Sequence, residues 1–224
     1  MMLVVGSVKW MKILSNGIAV IEGDTHISKW VEDEGRLDHD QYALPIILDH
    51  IKEGDWVVDA GAFIGDHTIA YTKAVGKTGR VLAFEPNDMA FECLKHNCPD
   101  AECHQFGLSN LREDRKFFIH ENTGASSVNE SGDGLVILTS LDSYDLPRLD
   151  FMKLDVEGYE LKALQGAEET VAAYRPKMWI EINSGALSRQ GASSRDVFSF
   201  LLDYGYDIDP YPEEGGEQYD VLCL

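Results

Sequence analysis

The segment VVDAGAFIGDHT, residues 57–68, constrains the fold of this chain more than any other stretch of its sequence. A short apolar run ends at Asp59, glycines follow at Gly61 and Gly65, and a helical pattern begins at Thr68. After a parallel strand the chain must turn sharply into a crossover helix, and glycine permits the positive φ and close backbone approach that this turn requires. Backbone N–H groups at the start of the helix also suit an anionic group. The segment therefore predicts the first strand, turn and helix of a nucleotide-cofactor site.

The spacing of the glycines indicates which kind of cofactor loop this is. Dinucleotide loops carry G-x-G-x-x-G and phosphate loops carry G-x-x-x-x-G-K-[ST], whereas this chain has D-x-G-x-x-x-G with the bulky Phe63 inside it. That form resembles motif I of class I S-adenosylmethionine-dependent methyltransferases. A second apolar run ends at Glu85, about 20 positions beyond the glycine loop, where an acid can accept hydrogen bonds from ribose hydroxyls. Asp59 and Glu85 also place negative charge near a cationic sulfonium ligand.

The segment FMKLDVEGYELKALQGA, residues 151–167, carries a second constellation. Asp155 and Glu157 follow a predicted strand, and a further strand, residues 177–182, contains Glu181 at its end. Open α/β sheets bind ligands at the carboxyl ends of their strands, so these acids are expected along one edge. There they could act as a general base, as hydrogen-bond acceptors for a substrate or as cation ligands.

Together these motifs resemble the FkbM-type family of S-adenosylmethionine-dependent methyltransferases. The resemblance spans about residues 54–183 and is most specific in the run K-x-D-x-E-G-x-E followed by G-A. Where the family usually has Asn in its glycine loop, this chain has Phe63. The matching stretches are DAGA with Gly65 and Thr68, AFEP, KLDVEG with Glu160, GA at 166–167, and RP at 175–176 with Glu181.

The resemblance implies a doubly wound, seven-stranded Rossmann-like α/β fold and transfer of a methyl group to oxygen, on a sugar or another natural-product-like hydroxyl. It implies that Asp155 lies nearest the transferring methyl. Because a carboxylate can take the proton of a weakly nucleophilic hydroxyl, Asp155 is the first candidate base, Glu157 the second, and Glu181 a positioning residue. The cofactor residues that the resemblance implies are Asp59, Gly61, Ala62, Phe63, Gly65 and Thr68 at the methionine end, Glu85 at the ribose, and Pro86, Asn87, Gly107 and Leu108 at the adenosine.

The pattern of apolar residues predicts one domain with a β-rich N-terminal cap. Residues 1–40 form the cap, with a hairpin of residues 8–14 and 17–22, and residues 41–224 form the methyltransferase domain. A β-hairpin insertion is expected between the third and fourth core strands, where residues 116–120 and 135–139 flank the polar loop 121–134. The other predicted strands are 55–59, 81–84, 102–106, 151–154 and a closing pair, 206–208 with 219–222; the predicted helices are 41–51, 68–75, 88–96, 160–174 and 194–204.

Composition narrows the possible partners. The chain has 224 residues and a formal net charge of −20, with no basic stripe that could bind nucleic acid or an anionic membrane. We expect a cytoplasmic protein that acts on a small hydroxylated molecule, with no signal peptide and no membrane span. The four cysteines lack C-x-x-C spacing, and the run Asp38-His39-Asp40 would point to opposite faces, so no metal site is predicted from them. The oligomeric state is left open.

Two other classes of function remain open at this stage. A nicotinamide-dependent oxidoreductase could use a related sheet, although the three-glycine fingerprint is absent. A catalytically silent cofactor-binding module is the other alternative, for which Phe63 leaves room. The loop 123–128 could be a lid over the acceptor or simply the tip of a surface hairpin. The N-terminal residues His26, Trp30, His39 and Tyr42 could line an acceptor pocket, although packing or exposure accounts for each of them individually.

Overall fold

The structure is a computed structural model that describes residues 10–211 and 217–224. In these ranges the strands are β1 Met11–Ile13, β2 Ala19–Ile21, β3 Trp56–Ala60, β4 Arg80–Phe84, β5 Glu102–His104, β6 Gly107–Leu108, β7 Glu113–Phe118, β8 Ser127–Val128, β9 Gly134–Thr139, β10 Phe151–Leu154, β11 Lys177–Asn183, β12 Ile208–Tyr211 and β13 Gln218–Cys223. The α-helices are α1 Ile27–Glu34, α2 Ala43–Leu48, α3 Thr68–Val75, α4 Asp88–Asn97, α5 Glu160–Gln165, α6 Glu168–Tyr174, α7 Ser184–Arg189 and α8 Ser194–Asp203. Short 3-10 turns lie at Gly76–Thr78, Thr123–Ala125 and Leu141–Tyr144.

A seven-stranded sheet in the order β12-β13-β11-β10-β3-β4-β5 forms the centre of the fold. β3, β4, β5, β10 and β11 run parallel, whereas β13 pairs antiparallel with β11 and with β12. The chain builds outward from β3 through β4 and β5, and then returns to place β10 on the other side of β3. This reversal creates a switch point between β3 and β10, where ligands of doubly wound sheets bind. The expected seven-stranded Rossmann-like fold is confirmed.

The buried strands explain why the sheet forms here. β3, β4 and β10 are almost entirely apolar and buried, which is typical of parallel strands covered by helices on both faces. One apolar cluster, which includes Val58, Met152 and Ile180, packs under α5, α6 and α8. A second, with Val57, lies under α2 and α3.

The N-terminal hairpin is confirmed within the described residues, although Val8 and Lys9 of the predicted first strand lie outside them. β1 pairs antiparallel with β2 around the Asn16-Gly17 turn. The same segment also contains α1, which the sequence did not predict. The Asn97 side chain in α4 receives the N–H of Ala19 and donates to its carbonyl, so β2 is fixed to the core by two hydrogen bonds of 2.8 and 2.9 Å.

The predicted insertion is also confirmed and is larger than a hairpin. β7 pairs antiparallel with β9, and β6 and β8 extend them to a four-stranded sheet in the order β6-β9-β7-β8. β8 and a 3-10 turn lie within residues 121–134, which were expected to form a loop.

One predicted helix, residues 160–174, is wrong as a single element. It is divided into α5 and α6 at Gly166, where the chain passes close to the backbone of Ser109. A Cβ on Gly166 would lie 1.9 Å from the Ser109 carbonyl oxygen. The carboxylate of Asp142 then accepts the N–H groups of Glu169 and Thr170 and starts a new helix. The predicted helix 41–51 is shorter in the structure, from Ala43 to Leu48. The helices of the described residues include none that is long and apolar enough to cross a membrane.

Candidate active site at the switch point

The ends of β3 and β10 meet at the switch point. A Cβ on Gly61 would lie 1.8 Å from the Asp155 carbonyl oxygen, so only glycine fits between the two chain segments. Gly61 also has a φ of 79°, in the region that L-residues with side chains rarely adopt. The glycine of the first motif is therefore required by the second motif, which lies almost a hundred residues away.

Asp59, near the end of β3, holds the glycine loop and the start of α3 together. It is completely buried, and its Oδ2 accepts the hydroxyl of Thr68 at 2.6 Å, which fixes the start of α3. Its other oxygen, Oδ1, is buried and has no hydrogen-bond partner among the described residues. A buried acceptor without a donor is costly, and a ligand that donates a hydrogen bond would satisfy it.

Phe63 occupies a left-handed position in the loop, with a φ of 47°. Asn tolerates this conformation better than an aromatic residue does, which gives a physical reason for the Asn that the resembling family usually carries. In this chain the ring is 7% exposed and packs in an apolar cluster with Val20, Ile21 and Val31 of the N-terminal segment. The unfavourable backbone conformation of Phe63 is therefore compensated by the apolar contact of its ring, which joins the glycine loop to the N-terminal segment.

Glu85 closes the loop from β4. Its Oε2 accepts the N–H of Phe63 at 2.9 Å, and its Oε1 accepts the N–H of Asn87 at 2.8 Å. Burial raises the pKa of this carboxyl from 4.5 to about 7, although both N–H groups favour the ionised form. Asn87 in turn caps α4 by accepting the N–H of Met89. The Glu85 oxygens keep further lone pairs, which face the cavity that the side chain lines.

Asp155, Glu157 and Glu181 form an acid cluster at the ends of β10 and β11. One oxygen from each lies within 4.8 Å of the others. Burial, together with repulsion from Asp155 and Glu160, raises the pKa of Glu157 to about 7. Burial, again assisted by Asp155 and Glu157, raises the pKa of Glu181 well above its ordinary value. Burial and mutual repulsion therefore disfavour the negative charge of Glu157 and Glu181.

Lys153 partly balances this charge. Its ammonium lies 2.9 Å from the Asp155 Oδ2, and although burial lowers the Lys153 pKa, Asp155 and Asp59 raise it above its ordinary value overall.

One cavity of about 780 Å³ connects the glycine loop with the acid cluster. Of the predicted cofactor residues, Asp59, Ala62, Gly65, Thr68 and Asn87 do not line it, and they support the loop from behind. The predicted residues that do line it are Gly61, Phe63, Glu85, Pro86, Gly107, Leu108, Asp155, Glu157 and Glu181.

The N-terminal segment and the insertion complete the wall of the cavity. His26, His39 and Tyr42 line it, whereas Trp30 does not and instead lies edge-on to His39. The insertion contributes residues 122–128, and it is fixed to the N-terminal segment because Asp24 accepts both the N–H and the hydroxyl of Thr123 at 2.7 Å. The predicted lid, residues 123–128, therefore lines the same cavity as the acid cluster and is held at both ends, since the Gln190 side chain donates to the Val128 carbonyl at 2.8 Å.

Several cavity residues escaped the sequence analysis. His67 lies 3.5 Å from Asp40 and 3.0 Å from the Tyr71 hydroxyl, and Asp220 lies opposite Glu181 on the neighbouring strand. The pairs Asp40–His67 and Glu181–Asp220 join segments far apart in the chain, so no local spacing signalled them. Arg189 had no signal either, although it ends a helix that starts directly after β11.

Comparison with known proteins agrees with this geometry. The family model described as the methyltransferase FkbM domain matches residues 59–208, which include both motifs and the whole insertion. The chain belongs to this family. Its match begins at Asp59 and ends in β12, so the parts of the cavity wall before Asp59 lie outside the family's domain.

A curated relative carries a more specific name. The hexuronic acid methyltransferase AglP of Haloferax volcanii is 28% identical over 157 residues, which are 65% of this chain and 63% of AglP. The chain thus matches less than two thirds of the length of that relative. Nothing in these comparisons favours the alternative of a nicotinamide-dependent oxidoreductase.

Solved structures support the fold. The methyltransferase FkbM from Methylobacillus flagellatus superposes with a TM-score of 0.56 at 17% identity, over 81% of this chain and 50% of that one. The fibrillarin of Aeropyrum pernix, in complex with natively bound S-adenosylmethionine, gives a TM-score of 0.51 at 12% identity, over 84% of this chain and 76% of that one. These likenesses support the fold of the chain.

Proposed function

We propose that this FkbM-family chain is an S-adenosylmethionine-dependent O-methyltransferase that acts on a hydroxyl of a sugar-like small molecule. The observation that carries the proposal is the single cavity, which has the glycine loop and Glu85 at one end and the acid cluster at the other. A methyl donor and a hydroxyl acceptor bound there would lie beside each other, and alignment of this kind supplies much of the catalysis in a displacement reaction.

The residues of the cofactor end fit S-adenosylmethionine. Glu85 lines the cavity and retains lone pairs for ribose hydroxyls. Gly107 also lines it and lies so close to Leu138 that a Cβ there would come within 2.6 Å of Leu138 Cδ2, so only glycine fits at this point of the wall. When bound, the cofactor supplies an electrophilic methyl group on a sulfonium. The residues that would hold it are Gly61, Phe63, Glu85, Pro86, Gly107 and Leu108, which line the cavity, and Asp59, Ala62, Gly65, Thr68 and Asn87 would support the loop from behind.

Asp155 is the candidate general base. A hydroxyl oxygen becomes a better nucleophile as its proton moves to a carboxylate, and the Asp155 carboxylate lines the cavity with its Oδ2 held 2.9 Å from the Lys153 ammonium. Glu157 is the second candidate because its pKa of about 7 lies close to neutral pH. Glu181, whose raised pKa favours the protonated form, is suited to position the acceptor through a hydrogen bond.

The acceptor class rests on the cavity and on the relative. Carboxylates line the acceptor end densely, and carboxylates accept hydrogen bonds from several sugar hydroxyls at once. AglP carries the name of a hexuronic acid methyltransferase, so hexuronic acids and their glycosides are the first acceptors to test.

Calorimetry provides the direct test of the proposal. We expect S-adenosylmethionine and its demethylated product to bind with a stoichiometry of one, and NAD to give no heat. Glu85→Ala should weaken cofactor binding at least tenfold, whereas Glu92→Gln, which alters a surface pair with Lys95, should not. Absence of cofactor binding by the folded protein would refute the proposal. Cofactor binding without turnover on a panel of hexuronic acids and neutral sugars would favour a catalytically silent module.

A further inference from the structure

The acid cluster has a property that the proposed methyl transfer does not explain. Its three carboxylates converge on one point of the cavity, and each can offer an oxygen within 4.8 Å of the others. We propose that Asp155, Glu157 and Glu181 bind a divalent cation such as Mg²⁺ or Mn²⁺. The family model, the relative and the solved structures name no such cation for this chain.

The spacing of the oxygens suits a hard cation. Oxygens bind Mg²⁺ at about 2.1 Å and Ca²⁺ at about 2.3–2.6 Å, so ligands on opposite sides of an ion are about 4–5 Å apart. The oxygens of the acid cluster therefore already lie within the span of one coordination sphere. Carboxylates are also the ligands that Mg²⁺, Ca²⁺ and Mn²⁺ prefer. Three protein ligands would leave coordination positions for water or for hydroxyls of an acceptor.

Two buried oxygens provide an independent sign of a missing positive partner. Gln218 donates to the Oε1 of Glu181 at 2.7 Å, but the Oε2 is buried and has no hydrogen-bond partner among the described residues. Glu160 lies behind the acid cluster with no solvent exposure, and its Oε2 is likewise buried without a partner. An ionised oxygen in such a place needs a donor or a cation and a protonated one needs an acceptor, and no such partner lies among the described residues.

The nearby side chains of Lys153 and Arg189 do not pair with the carboxylates of Glu157 and Glu181 within the described residues. Lys153 is committed to the Oδ2 of Asp155, which leaves Glu157 and Glu181 to repel each other. Arg189 lowers the pKa of Glu157 without forming an ion pair with it within the described residues. The repulsion can be relieved in two ways: a proton shared between carboxylates, or a cation bound among them. These two possibilities differ in a measurable way, since only the second predicts saturable binding of a metal ion.

Glu160 also shows that the acid cluster is held in place. Its Oε1 accepts the N–H groups of Val156 and Gly158, the two neighbours of Glu157, at 3.2 and 3.1 Å. The turn that carries Glu157 is therefore fixed from both sides. A site whose ligands are already oriented loses less conformational entropy when it binds an ion.

A bound cation would contribute to the acceptor end of the cavity. It would lower the pKa of a coordinated hydroxyl and orient neighbouring hydroxyls of a sugar. This contribution rests on the proposed methyltransferase function, whereas the binding of the cation does not. The test therefore measures binding in the absence of both cofactor and acceptor.

Mn²⁺ serves as the probe because electron paramagnetic resonance distinguishes free from bound ion. We expect one Mn²⁺ to bind the full chain, Mg²⁺ to compete for the same site, and Glu181→Gln to weaken Mn²⁺ binding at least tenfold. Asp40→Asn is the matched control: it removes one negative charge from the same cavity without removing a ligand, and should change the affinity less than threefold. If Glu181→Gln fails to fold, Glu157→Gln, which alters a partly exposed ligand, replaces it.

Two results would overturn the cation site. One is the absence of saturable Mn²⁺ binding at millimolar ion, which would mean that protons alone neutralise the acid cluster. The other is an equal loss of affinity in Asp40→Asn and Glu181→Gln, which would indicate diffuse attraction to an acidic cavity. Calorimetry with S-adenosylmethionine is a separate measurement, so failure of the cation site and failure of the proposed function are distinguishable.

Discussion

The two ends of the cavity bury their carboxylates in opposite ways. At the cofactor end, each oxygen of Glu85 receives a backbone N–H. At the other end, Glu157 and Glu181 face further carboxylates, and an oxygen of Glu181 has no partner among the described residues. The cofactor end is thus preorganised by its own backbone, whereas the acid cluster retains charge that a ligand must balance. We expect mutations at the first end to change cofactor affinity and stability, and mutations at the second to change turnover.

The largest effect is expected from Asp155→Asn. Loss of a general base typically costs about 10²–10⁴-fold in rate, so turnover should fall at least 100-fold while S-adenosylmethionine affinity changes less than about tenfold. Steady-state kinetics with calorimetry on the same preparation separates the two. Turnover within about threefold of the parent, with normal cofactor binding, would remove Asp155 as the base and direct attention to Glu157.

Gly61→Ala tests the close contact between the ends of β3 and β10, where the cofactor end of the cavity meets the acid cluster. The new Cβ would lie 1.8 Å from the Asp155 carbonyl oxygen, so the mutation should destabilise the fold by about 3 kcal/mol or more. Gly17→Ala is the matched control, because Gly17 also has a positive φ but a Cβ there meets nothing within 4 Å. It should cost only about 1 kcal/mol. Thermal denaturation measures both, and equal losses would mean that backbone conformation, and not the contact with β10, restricts Gly61 to glycine.

Phe63→Asn compares the backbone strain at this position of the glycine loop with the stabilisation that burial of the ring provides. Asn relieves the left-handed backbone by about 1 kcal/mol, but loses the burial of the ring, worth about 2–3 kcal/mol. A net destabilisation of about 1–2 kcal/mol is therefore expected. Denaturant unfolding checks it, and a stabilised Phe63→Asn would show that the contact with the N-terminal segment contributes little.

The smallest expected effect is a pH dependence of cofactor binding. Because burial raises the pKa of Glu85 to about 7, its carboxyl is mostly protonated at pH 6 and mostly ionised at pH 8. Ribose hydroxyls donate to the ionised form, so S-adenosylmethionine affinity should rise by up to about tenfold over this interval. Calorimetry across the interval tests this, and Glu85→Gln should flatten the profile. An affinity that falls with rising pH would contradict the role of Glu85.

The sequence allowed the strand ends to be predicted because their signals are local. Asp59, Gly61, Glu85 and Asp155 each follow a short apolar run directly, and parallel strands bring such positions to one edge. The break at Gly166 was not predictable, since it depends on the approach of the Ser109 backbone from a different part of the chain.

Most contacts in the wall of the cavity could not be predicted from the sequence, again because they join segments far apart in the chain. Asp24 meets Thr123, and Asp40 meets His67, only after the N-terminal segment and the insertion have folded over the sheet. Phe63 looked like a departure from the family pattern, and only the left-handed φ and the apolar cluster around its ring account for it.

The most direct test of methyl transfer across the cavity uses S-adenosylmethionine with a deuterated methyl group and a panel of hexuronic acid glycosides. Mass spectrometry and nuclear magnetic resonance of the product then show whether the label is attached to an acceptor oxygen. We predict an O-linked deuterated methyl group with the parent chain and at most about a hundredth of that rate with Asp155→Asn. Label found on nitrogen or carbon, or equal transfer by the parent and Asp155→Asn, would contradict the account.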